Sequence, residues 1–92
     1  MTLTQLKYTL AVAEVGNFTV AAEKCFVTQP TLSMQVQKLE DELDIQIFNR
    51  KSKPITLTAV GEKIVSQAKV ILEEAKRMRD IVVNEKGVIE GN

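Results

Sequence analysis

Hydrophobic residues in the first segment of the chain recur at the spacing of one helix face. They are Leu3, Leu6, Leu10 and Ala13. Thr2 stands three residues before Gln5, which is the spacing of a capping box, where each side chain bonds a free N–H of the first turn. Gly16-Asn17 follows, and both residue types tolerate the left-handed backbone that ends helices. The pattern predicts one short helix before Gly16.

Two further short helices are predicted between Thr19 and Leu43. The first runs from about Thr19, its expected cap, to Cys25, and a tight connection separates it from the next. Thr28 is the expected cap of the third helix, where Pro30 is tolerated because first-turn N–H groups lack helical partners. One face of this third helix is apolar, at Leu32, Val36, Leu39 and Leu43.

From Ile45 the hydrophobic period changes from that of a helix to that of a strand. Apolar and polar residues alternate on both sides of a turn, at Ile45 and Ile47 before it and at Ile55 and Leu57 after it. The turn, Lys51-Ser52-Lys53-Pro54, is basic. This pattern predicts a small β-hairpin, which must lean on the helices because two strands alone are not stable in water.

Thr58 opens a long helix that is expected to reach about Glu85 and to end before Gly87. Its apolar residues recur at alternating steps of four and three, the period of paired helices. They begin at Leu57 and Gly61 and continue through the residues that we expect to form a dimer seam, which are Ile64, Ala68, Ile71, Ala75, Met78 and Val82. Such a helix is about 40 Å long, more than the small domain can cover, so we expect it to pair two copies of the chain.

The second and third helices have the register of a helix-turn-helix unit over about residues 18–37. Two short helices that cross steeply need a small residue at the crossing, and that position falls on Ala22. The positions expected to be buried around it are all apolar: Ala21, Cys25, Val27, Leu32 and Val36. The predicted fold is therefore mainly α, with a winged helix-turn-helix over residues 1–57 and its wing at about 45–57. A linker and dimerisation helix follows over 58–86, then a tail over 87–92.

The start of the third helix is polar, as it must be where a helix in the major groove reads base edges. Gln29, with Gln35 or Gln37, can offer paired donor and acceptor atoms to adenine, and basic residues of the hairpin can hold phosphate or enter the minor groove. The predicted DNA-binding residues are Thr28, Gln29, Pro30, Thr31, Ser33, Met34, Gln37, Lys38, Arg50, Lys51 and Lys53. The alternatives are a plain solvent-facing polar surface and an ordinary charged turn.

Overall charge does not decide between nucleic-acid binding and another function. The 92 residues carry 12 basic and 12 acidic side chains, whereas nucleic-acid binders are usually basic. The charges are segregated, because an acidic block at Glu40, Asp41, Glu42 and Asp44 precedes the basic hairpin. A surface of positive charge can still steer a protein toward phosphate. The rival interpretation is a helical protein-interaction and dimerisation module that binds no nucleic acid.

Other function classes lack the residues that their chemistry requires. The chain has no histidine, one cysteine and no Gly-rich phosphate loop, so we expect no enzyme activity, catalytic residue or cofactor. The acidic block lacks the glycine and the spacing of a calcium loop, so we expect no metal there. No apolar run approaches the ~18 residues of a membrane span, and a single cysteine cannot form an internal disulfide. We expect a cytoplasmic protein without membrane contact.

These residues resemble the N-terminal domain of LysR-type transcriptional regulators over nearly the whole chain. The matching segments are Leu3, Leu6 and Tyr8, then Phe18 to Glu23, Val27 to Ser33, Gln35 to Glu40, then Leu43, Phe48 and Arg50, and finally Leu57 to Gly61. Within the family, Cys25 with Val27 to Ser33 and Lys38 to Leu43 is similar to the peroxide-sensing regulators.

The resemblance implies binding to interrupted inverted repeats in double-stranded promoter DNA as a homodimer, with tetramers in the full-length protein and a role in the oxidative-stress response. It also implies a C-terminal effector-sensing domain, absent from this chain, that carries the peroxide-reactive cysteines. Cys25 is instead expected at a buried packing position. Met34 departs from the pattern, because many members carry Arg there and the peroxide-sensing group often carries Gly. The contact at this position and the preferred operator are therefore expected to differ.

Overall fold

The computed structural model of the chain describes residues 1–90, with the side chains of residues 1–87. The described elements are, in order, α1 (Leu3–Val15), α2 (Phe18–Lys24), α3 (Gln29–Leu43), β1 (Phe48–Asn49), β2 (Thr56–Leu57) and α4 (Ala59–Glu90). The two strands pair antiparallel. This order confirms the predicted fold of three helices, a hairpin wing and a long helix.

α1 begins and ends where its capping residues predict. The Thr2 hydroxyl accepts a hydrogen bond from the Gln5 N–H at 3.0 Å, and the Gln5 side chain accepts one from the Thr2 N–H at 3.1 Å. Gly16 ends the helix with a φ of +68°, which glycine adopts without strain. Its carbonyl accepts a hydrogen bond from the Ile55 N–H at 3.0 Å, so the end of α1 is fixed to the second side of the wing.

The predicted bounds of α2 were wrong by one residue at each end. The helix begins at Phe18 and ends at Lys24, and Asn17 is its cap in place of Thr19. Asn17 Oδ1 accepts a hydrogen bond from the Val20 N–H at 2.9 Å, a role in which Asn is at least as effective as Thr. The prediction for α3 is confirmed, because Thr28 caps it and Pro30 lies in its first turn.

The strands of the wing are shorter than the alternating pattern predicts. Only two residues of each strand pair, with Phe48 opposite Leu57 and Asn49 opposite Thr56. Strand pairing does not extend back to Ile45 because that side of the wing is bound to α3 instead. The Ile47 N–H donates to the side chain of Glu40 at 2.7 Å, and Ile47 itself is fully buried.

The core lies where the first three helices meet the wing and the first half of α4. Its buried residues are Leu6, Val12, Ala21, Ala22, Leu32, Val36, Leu39, Ile47, Phe48, Val65 and Ala68. Leu43, the last residue of the predicted apolar face of α3, is only half-buried. Burial of apolar surface from all these elements holds the wing and α4 against the helices.

α4 does not end before Gly87. It runs through that residue to Glu90, so the predicted end near Glu85 and the predicted non-helical tail from residue 87 were wrong as far as residue 90. Residues 91–92 of that predicted tail lie outside the described residues. A glycine inside a helix is less favourable than alanine by only about 1 kcal/mol, so Gly87 alone is a weak stop signal.

The apolar stripe of α4 divides into two parts. In the first half of α4 the stripe packs on the chain's own core. Ala68 is 1% exposed and therefore cannot contact a second copy. Its assignment to the dimer seam was wrong. Ile64 and Ile71 are half-buried against the same core. In the second half, Met78 and Val82 are 71% and 50% exposed. The described chain measures 56 × 24 × 20 Å, a shape in which α4 projects beyond the domain.

Within residues 1–90, no helix has both the length and the apolar character that crossing a membrane requires.

Candidate nucleic-acid interface

The crossing of α2 and α3 has the close packing that the helix-turn-helix register predicts. Ala21 and Ala22 of α2 are 0% and 1% exposed, and Leu32 and Val36 of α3 are fully buried. Because the crossing residues are small, the two short helices approach closely and share one interior face. Cys25 and Val27 were predicted to be buried and are half-buried, since they lie in the connection between the helices.

The connection itself contains an unusual backbone conformation at Phe26. This residue has a φ of +58°, and its side chain is 94% exposed. Its N–H bonds the Glu23 carbonyl at 3.1 Å, and the next N–H, of Val27, bonds the Ala22 carbonyl at 3.1 Å. The left-handed conformation at Phe26 therefore turns the chain from α2 into α3.

The outward face of α3 carries the residues that the sequence predicts to bind DNA. All of them are exposed except half-buried Ser33: Thr28, Gln29, Pro30, Thr31, Met34, Gln37 and Lys38. The opposite face of the same helix is buried in the core. A helix with one face fixed in the core and the other polar and accessible can enter a major groove without unfolding any part of the domain.

Hydrogen bonds along α3 hold these polar side chains in defined positions. Gln29 Nε2 donates to Ser33 Oγ at 2.6 Å, and the Thr28 hydroxyl donates to Thr31 Oγ1 at 2.8 Å. Gln37 Nε2 donates to Asp41 Oδ1 at 2.9 Å. An ordered amide loses less conformational entropy when it binds a base edge than a freely rotating one does.

The two glutamines that the sequence left open lie in different environments. Gln35 faces α1, where its Oε1 accepts a hydrogen bond from Gln5 Nε2 at 3.1 Å. Gln37 is exposed on the outward face. Of the two, only Gln37 is therefore placed to meet a base.

The wing presents Lys51 and Lys53 at an ordered turn. Both lysines are exposed. Between them, the Ser52 hydroxyl donates to the Asn49 carbonyl at 2.9 Å and accepts from the Thr56 N–H at 3.1 Å. These bonds close the turn at the ends of the two strands, so the two lysines lie at the tip of the wing.

Arg50, the third predicted basic contact of the wing, is already engaged within the protein. Its Nη2 lies 2.5 Å from Oε1 of Glu40, and its guanidinium carbon lies 4.8 Å from the centre of the Phe18 ring. The Glu40 side chain is 1% exposed, although Glu40 belongs to the acidic block that precedes the hairpin. A signal for this burial was present, because Glu40 stands four residues after Val36 on the apolar face of α3.

Among the described residues, no three His, Cys, Asp or Glu side chains come together as a group that could hold a metal ion.

Comparison with known proteins places this geometry in a family. Residues 3–62 match the model of the bacterial regulatory helix-turn-helix proteins of the lysR family. The chain is 37% identical over 91 residues to the DNA-binding transcriptional dual regulator OxyR of Escherichia coli K12, covering 99% of the chain and 30% of that relative. The chain thus spans about 30% of the length of this curated relative.

Solved structures share the fold at comparable identity. Full-length OxyR C199D from Pseudomonas aeruginosa superposes with a TM-score of 0.87 at 49% identity, over 91% of this chain and 28% of that one. The DBD of BenM in its complex with benA site 1 DNA superposes with a TM-score of 0.88 at 37% identity, over 94% of this chain and 97% of that one. The resemblance to LysR-type regulators, including OxyR, is confirmed, and the chain belongs to the lysR family of bacterial regulatory helix-turn-helix proteins.

Proposed function

We propose that the chain is the DNA-binding part of a transcription regulator and binds double-stranded promoter DNA in a sequence-specific manner as a homodimer. The observation that carries this proposal is the exposed polar face of α3, from Thr28 to Lys38, on a helix whose other face is fixed in the core. Regulation acts on chromosomal DNA, so this function places the protein in the cytoplasm.

Within this proposal, α3 reads sequence and the wing contributes affinity. Gln29 and Gln37 offer donor and acceptor atoms suited to the major-groove edge of adenine. Lys51 and Lys53 at the wing tip, with Lys38 on α3, neutralise phosphates. Met34 is 51% exposed and apolar, and it fits contact with a thymine methyl group rather than a hydrogen bond.

The likeness to BenM supports DNA as the partner. The matched BenM structure is a complex with DNA and covers nearly the same length of chain, so the comparison concerns this domain rather than a distant part of a larger protein. Zero net charge favours the rival protein-interaction module, but Lys38 of α3 and the two lysines of the wing tip are all exposed.

The second half of α4 supports self-association. Met78, Ile81 and Val82 are 71%, 58% and 50% exposed, although all are large and apolar. They follow half-buried Ala75 at helical spacing. Contiguous exposed apolar residues on a projecting helix mark an interaction surface, and a second copy of α4 offers the same surface in return. We propose a dimer seam of Ile71, Ala75, Met78 and Val82 with Ile81 beside it, and tetramers for the longer protein.

A peroxide response is a separate proposal, and it rests on the likeness to OxyR alone. The 92-residue chain has one cysteine, which cannot form an intramolecular disulfide. We therefore expect no intramolecular disulfide switch within this chain, and any such response to hydrogen peroxide to reside in a C-terminal domain. A DNase footprint of the whole protein with and without peroxide tests the second part.

The function is tested by selecting binding sites for the chain from a random-sequence duplex pool. We expect enrichment of two inverted half-sites separated by a whole number of helical turns, as a two-fold dimer requires. A selected pool that shows no enriched sequence, or only a single half-site, contradicts sequence-specific binding by a dimer.

A further inference from the structure

In residues 1–87, Glu40 is the only buried charged residue, and the hydrogen bonds of its side chain all go to the wing. Its Oε2 accepts hydrogen bonds from the Ile47 N–H at 2.7 Å and the Phe48 N–H at 3.4 Å. Its Oε1 accepts from the Arg50 guanidinium, and its backbone carbonyl accepts from the Ile45 N–H at 3.1 Å. One residue of α3 thus bonds most of the segment that leads into the wing.

Arg50 completes a connection between the wing and both helices of the helix-turn-helix unit. Its guanidinium bonds Glu40 of α3 and lies over the ring of Phe18, the first residue of α2. The Phe18 ring also meets the Phe48 ring edge-on, with centroids 5.8 Å apart. Phe48 belongs to β1, so the base of the wing is held by α2 and α3 together.

Resting on the proposed DNA-binding function, we infer that the Glu40–Arg50 pair is a positioning device. It sets the angle of the wing to α3 so that Lys51 and Lys53 reach phosphate while α3 lies in the groove. Arg50 acts on DNA through this pair and is not itself a phosphate ligand. This changes the role that the sequence predicts for Arg50.

The charge balance supports a positioning role. The carboxylate of Glu40 neutralises the guanidinium of Arg50 at hydrogen-bond distance, so the pair adds little net positive charge to the DNA-facing surface. Releasing Arg50 toward a phosphate would leave a buried carboxylate without its cation, which is strongly unfavourable. Lys51 and Lys53, which are exposed, have no such penalty.

The two roles predict opposite signs for Glu40→Gln. If Arg50 were a phosphate ligand restrained by Glu40, this substitution would release it and tighten DNA binding. A positioning pair predicts weaker binding, by about tenfold or more, which is the effect of losing one hydrogen bond to a charged group. It also predicts a shallower dependence of log K on log salt, by about 0.9 for each lysine contact that the displaced wing loses.

The experiment measures affinity against salt for the full chain, on the tightest duplex selected from a random pool, with urea unfolding of each variant. Glu42→Gln is the matched control, because Glu42 is exposed on the same helix and the change in charge is identical. We expect this control to bind as well as the wild type or slightly better. Arg50→Lys is the second variant, which keeps the charge but loses the planar group over Phe18.

Each outcome either supports the inference or overturns it. Weaker binding and a reduced salt slope in both Glu40→Gln and Arg50→Lys support the positioning role. Equal or tighter binding by Glu40→Gln overturns it, and so does a loss that matches the unfolded fraction with an unchanged slope. If Glu40→Gln does not fold, Arg50→Lys provides the test, and an unchanged DNA affinity and salt slope in that variant overturn the inference. A wild type that binds no duplex overturns the proposed function itself, which is a distinguishable result.

Discussion

Gly61 of α4 lies directly against the carbonyl group of Ile47 at the base of the wing. A methyl group on Gly61 would stand 2.1 Å from the Ile47 oxygen, well inside contact distance. The same carbonyl accepts a hydrogen bond from the Thr58 N–H at 3.0 Å, and the Thr58 hydroxyl bonds the Gln46 carbonyl at 2.6 Å. The first turn of the long helix is thus fixed to the wing by backbone contact.

Gly61→Ala should destabilise the domain by about 1–3 kcal/mol, because the added methyl group meets backbone that cannot rotate away. Urea unfolding followed by circular dichroism measures the change. Gly87→Ala is the control in the same helix, where an added methyl group meets nothing within 4 Å. It should stabilise α4 by up to about 1 kcal/mol, since alanine is the better helix former. Equal effects of the two substitutions would contradict the close approach at Gly61.

Phe26→Gly should stabilise the domain by about 1 kcal/mol. The φ of +58° is unfavourable for a residue with a Cβ but not for glycine, and a side chain that is 94% exposed loses no packing when it is removed. Phe26→Ala keeps the Cβ and should change the unfolding free energy little. A glycine variant that is no more stable than the alanine variant would show that the left-handed turn is not strained.

The order of elements was predictable from the sequence because it depends on local signals. The capping box at Thr2, the cap at Thr28 and the small residue at Ala22 each act within a few residues, and all three are confirmed. The signals for the start of α2 were close together, since Asn17 and Thr19 are both good caps. The structure has Asn17 as the cap, and α2 therefore begins at Phe18.

The errors at Ala68 and Glu40 concern residues whose role depends on contacts distant in sequence. Ala68 fits a heptad stripe as well as it fits a core face, and the sequence does not reveal that the domain covers the first half of α4. Glu40 stands in an acidic run, which normally faces solvent, but the free N–H groups of the wing draw its carboxylate inside. Such partners become visible only when the chain is folded.

Met78→Lys should convert the dimer to a monomer without unfolding the domain. The side chain is 71% exposed in the single chain, so the charge is harmless there, but at a helix seam it would be buried without a partner. Sedimentation equilibrium measures the change in mass. Val83→Lys makes the same kind of change on a residue that is 64% exposed but one position off the heptad stripe, and it should leave the dimer intact. Loss of the dimer in both variants, or in neither, would contradict the proposed seam.

Gln29→Ala and Lys53→Ala should weaken DNA binding in different ways. Without the Gln29 amide, discrimination at one base pair should fall by about 1–3 kcal/mol, because a base-edge contact is lost. Lys53→Ala should weaken binding to all sequences alike and reduce the salt slope by about 1.8, because the dimer loses two phosphate contacts at about 0.9 each. Competition assays with single-base variants of the selected duplex separate the two effects. A loss of affinity in Lys53→Ala that depends on the DNA sequence would show that the wing reads bases and does not only contact the backbone.

The salt dependence of DNA affinity tests the central claim most directly, because each phosphate contact releases counterions condensed on the DNA. For the wild-type chain on its selected duplex, log K should fall linearly with log salt. The loss should be about 10³–10⁵-fold between about 50 and 200 mM if six to ten phosphates are contacted by the dimer. An affinity that stays flat across this range would contradict DNA binding through the α3 face and the wing, and would favour a protein-interaction module.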